Sequence, residues 1–147
     1  AFLDDLIQAD EAFLVNIASA SAFIGLPYGS TYAASKWAVV GFSESLRLEL
    51  AVRKIKHVHV TSVCPSYIST GMFDGVKTPL FSPMLTPKKV VKSIIRGMQK
   101  KEAFVIEPPM AKSVELMKAI LPRGIWDEVA RRTGVSTSMY SWKGKKK

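Results

Sequence analysis

The stretch from Ala12 to Ser19, AFLVNIAS, is an almost uninterrupted apolar run that contains β-branched side chains. Runs of this kind are typical of a strand that is buried on both faces of a parallel sheet. Residues 19–30, which follow, are rich in Ser, Gly and Pro and predict a loop. From residue 31 to residue 53 apolar residues recur at helical spacing, so the stretch opens a strand–loop–helix unit.

The rest of the chain continues this alternation. The predicted elements, in chain order, are a helix over 2–9, a strand over 12–18, a helix over 31–53, a strand over 57–63, a helix over 87–101, a strand over 103–107, and helices over 110–121 and 124–132. The 87–101 helix has Thr86 as its predicted N-cap and Pro87 in its first turn. Such alternation indicates right-handed βαβ units on a parallel sheet, an α/β fold. No repeat or linker divides residues 1–147, which we assign to one domain.

Composition excludes several classes of protein. Of the 147 residues 48% are hydrophobic and 22% charged, which favours a packed core over disorder. Cys64 is the only cysteine and the chain has two histidines, so a disulfide framework and a Cys/His zinc cluster are excluded and no metal is expected. The uncharged run over residues 12–35 is long enough to cross a bilayer, but Asn16, Pro27 and six hydroxyl side chains argue against a membrane span.

Part of the net charge of +9 lies at the C-terminus, where residues 143–147 contain four lysines. A solvated basic tail is the simpler interpretation, and contact with anionic lipid or nucleic acid is the alternative. No interleaving of aromatic and basic residues supports nucleic-acid binding, whereas contact with a membrane surface stays open. The first residues, AFLDD, lack a basic n-region, so no secretory signal is predicted, and we expect a cytoplasmic or peripheral membrane location.

Tyr32 and Lys36 lie four residues apart on a predicted helix and therefore share a face. A free phenol has a pKa of roughly 10, and a nearby ammonium group lowers it by stabilising the phenolate. A tyrosine in that setting can donate and accept a proton near neutral pH. Ser19 ends the buried strand thirteen residues earlier, among small residues that allow close approach. The alternative is an ordinary helix start with a solvated lysine.

Three motifs together resemble the short-chain dehydrogenase/reductase family: VNIAS over 15–19, YAASK over 32–36, and Pro65-Ser66-x-Ile68-x-Thr70. The resemblance implies a Rossmann-like, doubly wound parallel sheet, of which this chain forms the C-terminal half. The segments 70–73 and 120–122 further resemble the subgroup that contains retinol dehydrogenases and 17-beta-hydroxysteroid dehydrogenases.

The resemblance implies an NAD(P)-dependent oxidoreductase that interconverts an alcohol and its carbonyl, with the choice between NAD and NADP left open. Tyr32 would be the general acid/base, Lys36 would lower its pKa and bind the nicotinamide ribose, and Ser19 would hold the substrate oxygen. Further cofactor-binding residues would be Pro65, Ser66, Ile68 and Thr70.

The apolar side chains of segment 67–86 suggest a cover over a hydrophobic substrate, such as a retinoid, steroid or lipid alcohol. The substrate-binding candidates are Ser21, Met72, Phe73 and Phe81. The alternative is a surface loop that packs on the core. The C-terminal part, 110–147, contributes helices and the basic tail. There the stripe Met110, Val114, Met117 and Leu121 fits core packing, with contact to a membrane surface as the alternative.

The 31–53 helix carries a stripe of Trp37, Val40, Gly41, Ser45 and Leu48. The resemblance implies that this helix pairs with its copy in a homodimer or homotetramer, and burial within one subunit is the alternative.

Two departures from the family pattern stand out. Ser66 replaces the usual glycine, which makes the chain bulkier beside the cofactor. The family's Gly-rich phosphate turn and its catalytic asparagine would lie upstream of Ala1. We therefore expect the chain alone to be inactive, with an unpaired edge on the 12–18 strand. The alternative function is a catalytically incompetent fragment or binding module.

Overall fold

The computed structural model describes residues 2–80 and 82–143. Within them a parallel sheet has the strand order β1-β2-β3. The strands are β1 (Ala12–Ile17), β2 (Val58–Pro65) and β3 (Phe104–Glu107). The helices are α1 (Leu3–Gln8), a 3-10 turn (Ala20–Ala22), α2 (Ser30–Val52), α3 (Pro87–Gln99), α4 (Ala111–Ile120) and α5 (Arg123–Arg132). The predicted α/β fold with its parallel sheet is confirmed.

The register of the sheet brings the carboxyl ends of the strands to one edge. Ile17 pairs with Val63, and Pro65 pairs with Glu107. Strand β2 is two residues longer than predicted at this end, because Cys64 and Pro65 continue the ladder with β3. The other edge of β1 pairs with no strand among the described residues. Ligands of open parallel sheets bind beyond the carboxyl ends of the strands, so this edge is the place to look for a site.

Helix α2 packs on the sheet through Ser43, Leu46 and Leu50, while Ala33 is buried against Leu26 and Met139. Trp37, Gly41, Ser45 and Leu48 of the predicted stripe are exposed in the described part of the chain. A polar contact also joins the two elements, since the Asn16 amide donates to Ser43 Oγ at 2.8 Å across the β1–α2 interface. Apolar residues lie on several sides of α2, so their periodicity could not reveal which side faces the sheet.

Two groups of buried residues hold the layers together. Leu46 and Leu50 of α2 pack with Val58 and Val60 of β2 at one end of the sheet. Ala18, Phe23, Cys64 and Ile106 pack together near the carboxyl ends of the strands. The second group lies directly beneath the loop that follows β1, so it supports the region where the candidate residues are found.

The predicted start of α3 is confirmed. Thr86 accepts a hydrogen bond from the Lys89 amide at 3.3 Å, and Pro87 occupies the first turn. The N-cap side chain accepts from a backbone N–H that has no partner within the helix, and the proline that follows has no N–H that would need one. No helix in residues 2–80 and 82–143 has both the length and the apolarity needed to span a membrane.

Gly97 allows α3 to approach β3 closely, and its replacement by alanine is expected to destabilise the fold. The added Cβ would overlap Cγ2 of Val105, a buried residue in the middle of β3. Overpacking of this kind costs about 1–3 kcal/mol in free energy of unfolding. Chemical denaturation of the purified Gly97→Ala variant measures the loss.

The matched control is Gly124→Ala in the first turn of α5, where an added Cβ meets nothing within 4 Å. In this variant we expect the free energy of unfolding to rise by up to about 1 kcal/mol, because alanine restricts the unfolded chain more than glycine does. Equal stability changes in the two variants would contradict the close α3–β3 approach.

Candidate active site

Ser19 lies at the start of the loop that follows β1, between the ends of two strands. Its hydroxyl donates to the carbonyl oxygen of Pro65 at 3.4 Å and accepts from the Ser21 amide at 3.2 Å. The second bond caps the 3-10 turn Ala20–Ala22. Ser19 is buried, but it borders a cavity. Because the bond to Pro65 is at the limit of hydrogen-bonding length, the hydroxyl can turn toward a stronger acceptor.

Tyr32 and Lys36 lie in the first turns of α2, over the same edge of the sheet. The Lys36 ammonium donates to the carbonyl oxygen of Ile17, the last residue of β1, at 3.0 Å. It also lies 5.6 Å from the centroid of the Tyr32 ring. The end of a strand thus holds the Lys36 charge beside the Tyr32 ring.

Ser19 and Tyr32 line one cavity of about 300 Å³. Ser21 and Phe73, two of the predicted substrate-binding residues, also line it. Met72 does not belong to the lining, since its side chain is exposed and its carbonyl accepts from the Trp142 indole at 2.9 Å. Phe81 lies outside the described residues. The site therefore contains the predicted Ser–Tyr–Lys group and part of the predicted substrate set.

Sequence reasoning missed most of the cavity wall. The missed residues of the described chain include Met110, Val114, Met117, Trp126, Val129 and Val135, whereas Tyr67 and Leu80 of the lining fall in the segment 67–86 predicted to cover the substrate. The α4 stripe was noticed in the sequence, but Met110, Val114 and Met117 line the cavity rather than a sealed core. A stripe on a helix shows that one face is apolar, and it does not distinguish a core from a ligand cavity.

Tyr67, in the loop that follows β2, lines the cavity and is held by two contacts. Its hydroxyl donates to Ser138 Oγ at 2.7 Å, and its ring meets Phe73 edge-on with 5.2 Å between centroids. Burial raises the pKa of Tyr67, so its phenol stays protonated at neutral pH.

The loop after β2 contains the predicted cofactor-binding residues and runs along the same edge. The Ser66 amide donates to the Glu107 carbonyl at 2.7 Å, and the Ser66 hydroxyl bonds to the Ser82 hydroxyl at 2.8 Å. Ile68 bridges to Leu85, and the Thr70 amide donates to the Ile68 carbonyl at 2.8 Å. The extra bulk of Ser66, relative to glycine, is accommodated by pairing with Ser82.

Fold and site define a Rossmann-like α/β protein with serine, tyrosine and lysine at the carboxyl edge of its sheet. The chain belongs to the short-chain dehydrogenase/reductase family, whose "short chain dehydrogenase" model matches residues 1–80. This confirms the family resemblance that the three sequence motifs indicated.

The relatives include two that are 34% identical to the chain. Short-chain dehydrogenase/reductase family 16C member 6 of Bos taurus aligns over 97% of this chain and 46% of its own length. Epidermal retinol dehydrogenase 2 of Homo sapiens aligns over 100% of this chain and 48% of its own length. Estradiol 17-beta-dehydrogenase 11 of Homo sapiens is 30% identical over 92% of this chain and 45% of its own length. The subgroup resemblance is confirmed, and the chain spans about half the length of these curated relatives.

A solved structure supports the same assignment. A short chain dehydrogenase from Burkholderia cenocepacia J2315, crystallised in complex with NADP, superposes with a TM-score of 0.71. It is 25% identical to this chain, and the match covers 90% of this chain and 53% of that one.

Cys64 lies beneath the site and is expected to be chemically inert in the folded protein. Burial among Ala18, Phe23 and Ile106 raises the pKa of its thiol to about 12. The reactive species is the thiolate, and at pH 8 only about one thiol in ten thousand would be ionised at that pKa. A chromogenic disulfide reagent at pH 8 should therefore label Cys64 only after denaturation. Full labelling of the native protein would contradict this burial.

Proposed function

We propose that the protein to which this chain belongs is an NAD(P)-dependent oxidoreductase that interconverts an alcohol and its carbonyl. The observation that carries the proposal is that Ser19 and Tyr32 line one apolar cavity while the Lys36 ammonium lies beside the Tyr32 ring. This combination supplies a proton donor and acceptor, a positive charge that favours its ionised form, and a second hydroxyl for the reacting oxygen.

Each of the three residues has a separate task. The Tyr32 hydroxyl takes the proton from the alcohol in oxidation and returns it to the carbonyl oxygen in reduction. Lys36, held by the Ile17 carbonyl, stabilises the phenolate. The Ser19 hydroxyl exchanges its long bond to Pro65 for one to the substrate oxygen. The proton is thus transferred at one atom, Tyr32 Oη. Lys36 sets the affinity of that oxygen for the proton, and Ser19 sets the position of the substrate oxygen.

The residues at this edge fit the nicotinamide end of an NAD(P) cofactor, which supplies or accepts the hydride. The Lys36 ammonium has three N–H donors, of which one is hydrogen-bonded to the Ile17 carbonyl and two are left for ribose hydroxyls. Thr70 is exposed on the neighbouring loop and offers a hydroxyl to a polar group, and the half-buried Ile68 offers apolar surface beside the buried Pro65. The Burkholderia relative in complex with NADP supports this assignment. Ser66 contributes shape rather than a donor, because its amide and hydroxyl are already bonded.

The substrate is a hydrophobic alcohol or carbonyl, in the size range of a retinoid, a steroid or another lipid alcohol. Apolar side chains from α4, α5 and the loop after β2 dominate the lining of the cavity. Methionines at positions 110 and 117 add flexible walls that adapt to bulky apolar shapes. Relatives named as a retinol dehydrogenase and an estradiol dehydrogenase support the same class of substrate.

Ser21 supports a polar contact at the inner end of this cavity. Its hydroxyl is buried and has no hydrogen-bond partner in the described part of the chain, although it lines the cavity. A buried hydroxyl left unpaired costs about 1–3 kcal/mol. A substrate oxygen beside Ser19 would satisfy it, so Ser21 is proposed as a second group that orients the reacting end.

The homodimer or homotetramer implied by the family resemblance stays a prediction. The exposed side chains of Trp37, Phe42, Leu48 and Val52 along α2 support it, since they offer apolar surface to a second copy. Val52 is 82% exposed and Phe42 is 61% exposed, which is unusual for large apolar residues of one helix.

The direct test of the proposal is Tyr32→Phe in the full-length protein, assayed with NAD and NADP against retinoid, steroid and long-chain alcohols. Loss of the hydroxyl removes the proton-transfer group, so kcat should fall by about 10²–10⁴-fold. Cofactor affinity, measured by fluorescence titration, should change little, because the hydroxyl is not its main anchor. The matched control is Tyr140→Phe, an exposed tyrosine outside the cavity, which should keep full activity. Substantial turnover by Tyr32→Phe would exclude the proposed role.

Phe73 provides the test of the hydrophobic substrate. Its replacement by serine removes an apolar wall and should raise KM for bulky alcohols by about tenfold, since burying an aromatic side chain contributes about 1.5–3 kcal/mol. Small alcohols, which leave that part of the cavity empty, should be affected little. Met72→Ser is the adjacent control, because Met72 is exposed and does not line the cavity. Equal effects on bulky and small alcohols would rule out Phe73 as a substrate contact.

A further inference from the structure

The turn that follows Ser19 is held by a side chain of the catalytic helix. Trp37, the residue directly after Lys36, donates its indole N–H to the Ser21 carbonyl at 2.8 Å and approaches the Ile24 carbonyl at 3.3 Å. Ser21 is also the residue whose amide donates to Ser19 Oγ. A continuous path of bonds therefore leads from Trp37 through Ser21 to the Ser19 hydroxyl.

A lysine from the cavity wall meets the same turn. The Lys118 ammonium, on α4, donates to the Phe23 carbonyl at 3.0 Å and lies 4.4 Å from the centroid of the Trp37 ring. Both are favourable contacts for a cation, since carbonyl oxygen and indole face are each electron-rich. Carbonyls of the turn are thus bound by one indole and one ammonium group that also contact each other.

Helix α4 has few other attachments. None of its residues is buried, although Met110, which precedes it, and Val114 and Met117, within it, line the cavity. Over residues 2–80 and 82–143, the bond from Lys118 to Phe23 is the side-chain hydrogen bond that joins α4 to another element. Ala111 packs on the cluster around Cys64 at the N-terminal end of the helix, and the Lys118 contact fastens its other end to the turn after Ser19. An exposed helix with little burial opens at low cost, so this second contact helps to set where the wall stands relative to Ser19.

We infer that Trp37 and Lys118 are positioning residues of the site, and this inference rests on the proposed function. Trp37 holds the Ser19 hydroxyl at a fixed place relative to Tyr32, because both the indole and Tyr32 belong to the first turns of α2. Lys118 holds the α4 wall against that turn and thereby sets the width of the substrate cavity. A displacement of about 1 Å in such a group can lower a rate by about a hundredfold, so positioning at this point affects catalysis directly.

The two roles can be separated by substitutions that remove one interaction each. Trp37→Phe keeps an aromatic face for Lys118 and removes the indole N–H. It should lower kcat for every alcohol by about tenfold, with KM and cofactor affinity changed by less than about twofold. Lys118→Met keeps the aliphatic stem and removes the charge. It should raise KM for bulky alcohols by about fivefold, with kcat changed little.

Two further variants make the test specific. Lys118→Arg should restore KM, because a guanidinium group can donate to the Phe23 carbonyl and stack on the indole. Lys112→Met removes an exposed lysine from the same helix and should leave KM unchanged. Failure of Lys118→Arg to restore KM, or an equal rise in Lys112→Met, would overturn the role of Lys118.

Hydrogen exchange of the full-length protein, followed by mass spectrometry, supplies a measurement that needs no turnover. Amides of residues 20–24 should exchange faster in Trp37→Phe and Lys118→Met than in the unmodified protein, while those of β2 stay protected. Unchanged exchange over residues 20–24 would overturn the inference, and so would a general loss of protection that includes β2. If the unmodified protein turns over no alcohol or carbonyl with either cofactor, the proposed function fails, and exchange over residues 20–24 still decides whether the two contacts exist.

Discussion

The parallel pairing of β1 with β2 is the constraint on which the candidate site depends. The register sets Ile17 opposite Val63, so that Ile17 and Pro65, the last residues of β1 and β2, lie at the same edge of the sheet. Lys36 donates to the carbonyl of the first and Ser19 to that of the second. A shift of this pairing by one residue would reverse the faces of β1 and separate the two anchors. The geometry of the site is therefore inherited from backbone hydrogen bonds rather than built by the reactive side chains alone.

Helix α2 fixes the position of Tyr32, the proposed proton donor and acceptor, relative to the sheet. Leu46 and Leu50 pack on the sheet at the far end of the helix, and Ser43 meets Asn16 in its middle. Tyr32 and Lys36 stand on the first turns, so their height above the strand ends follows from the seating of the whole helix. A rigid element is a better support for such residues than a loop, because its backbone bonds fix all of them together.

Much of the fold could be predicted because its signals are local. The buried run of β1 and the Thr86–Pro87 start of α3 are properties of neighbouring residues, and the structure confirms them. The side of α2 that faces the sheet could not be predicted, since apolar residues lie on several sides of the helix and its contact with Asn16 joins residues 27 positions apart. The same holds for the cavity: Tyr67 and Trp126 come from distant parts of the chain, and only their meeting creates a wall. Ser19, Tyr32 and Lys36 could be singled out because the last two share a helix face and all three belong to motifs that resemble the family, and their catalytic roles stay a proposal.

The two regions of the site differ in what holds them. Ser19 follows β1 and caps a 3-10 turn, and Tyr32 and Lys36 stand on a long helix, whereas the opposite cavity wall includes residues of α4, which has no buried residue, and of α5, where Trp126 and Ala130 are buried. The proposed function needs a constant geometry for proton transfer and room for substrates of different size, and this division suits both. Tight packing around Cys64 and Ala18 restricts movement beneath Ser19, while methionines and short helices leave the opposite wall free to adjust. Variation among relatives that share the reactive residues should therefore be concentrated in the α4–α5 wall, where a change in shape alters the substrate without disturbing the chemistry.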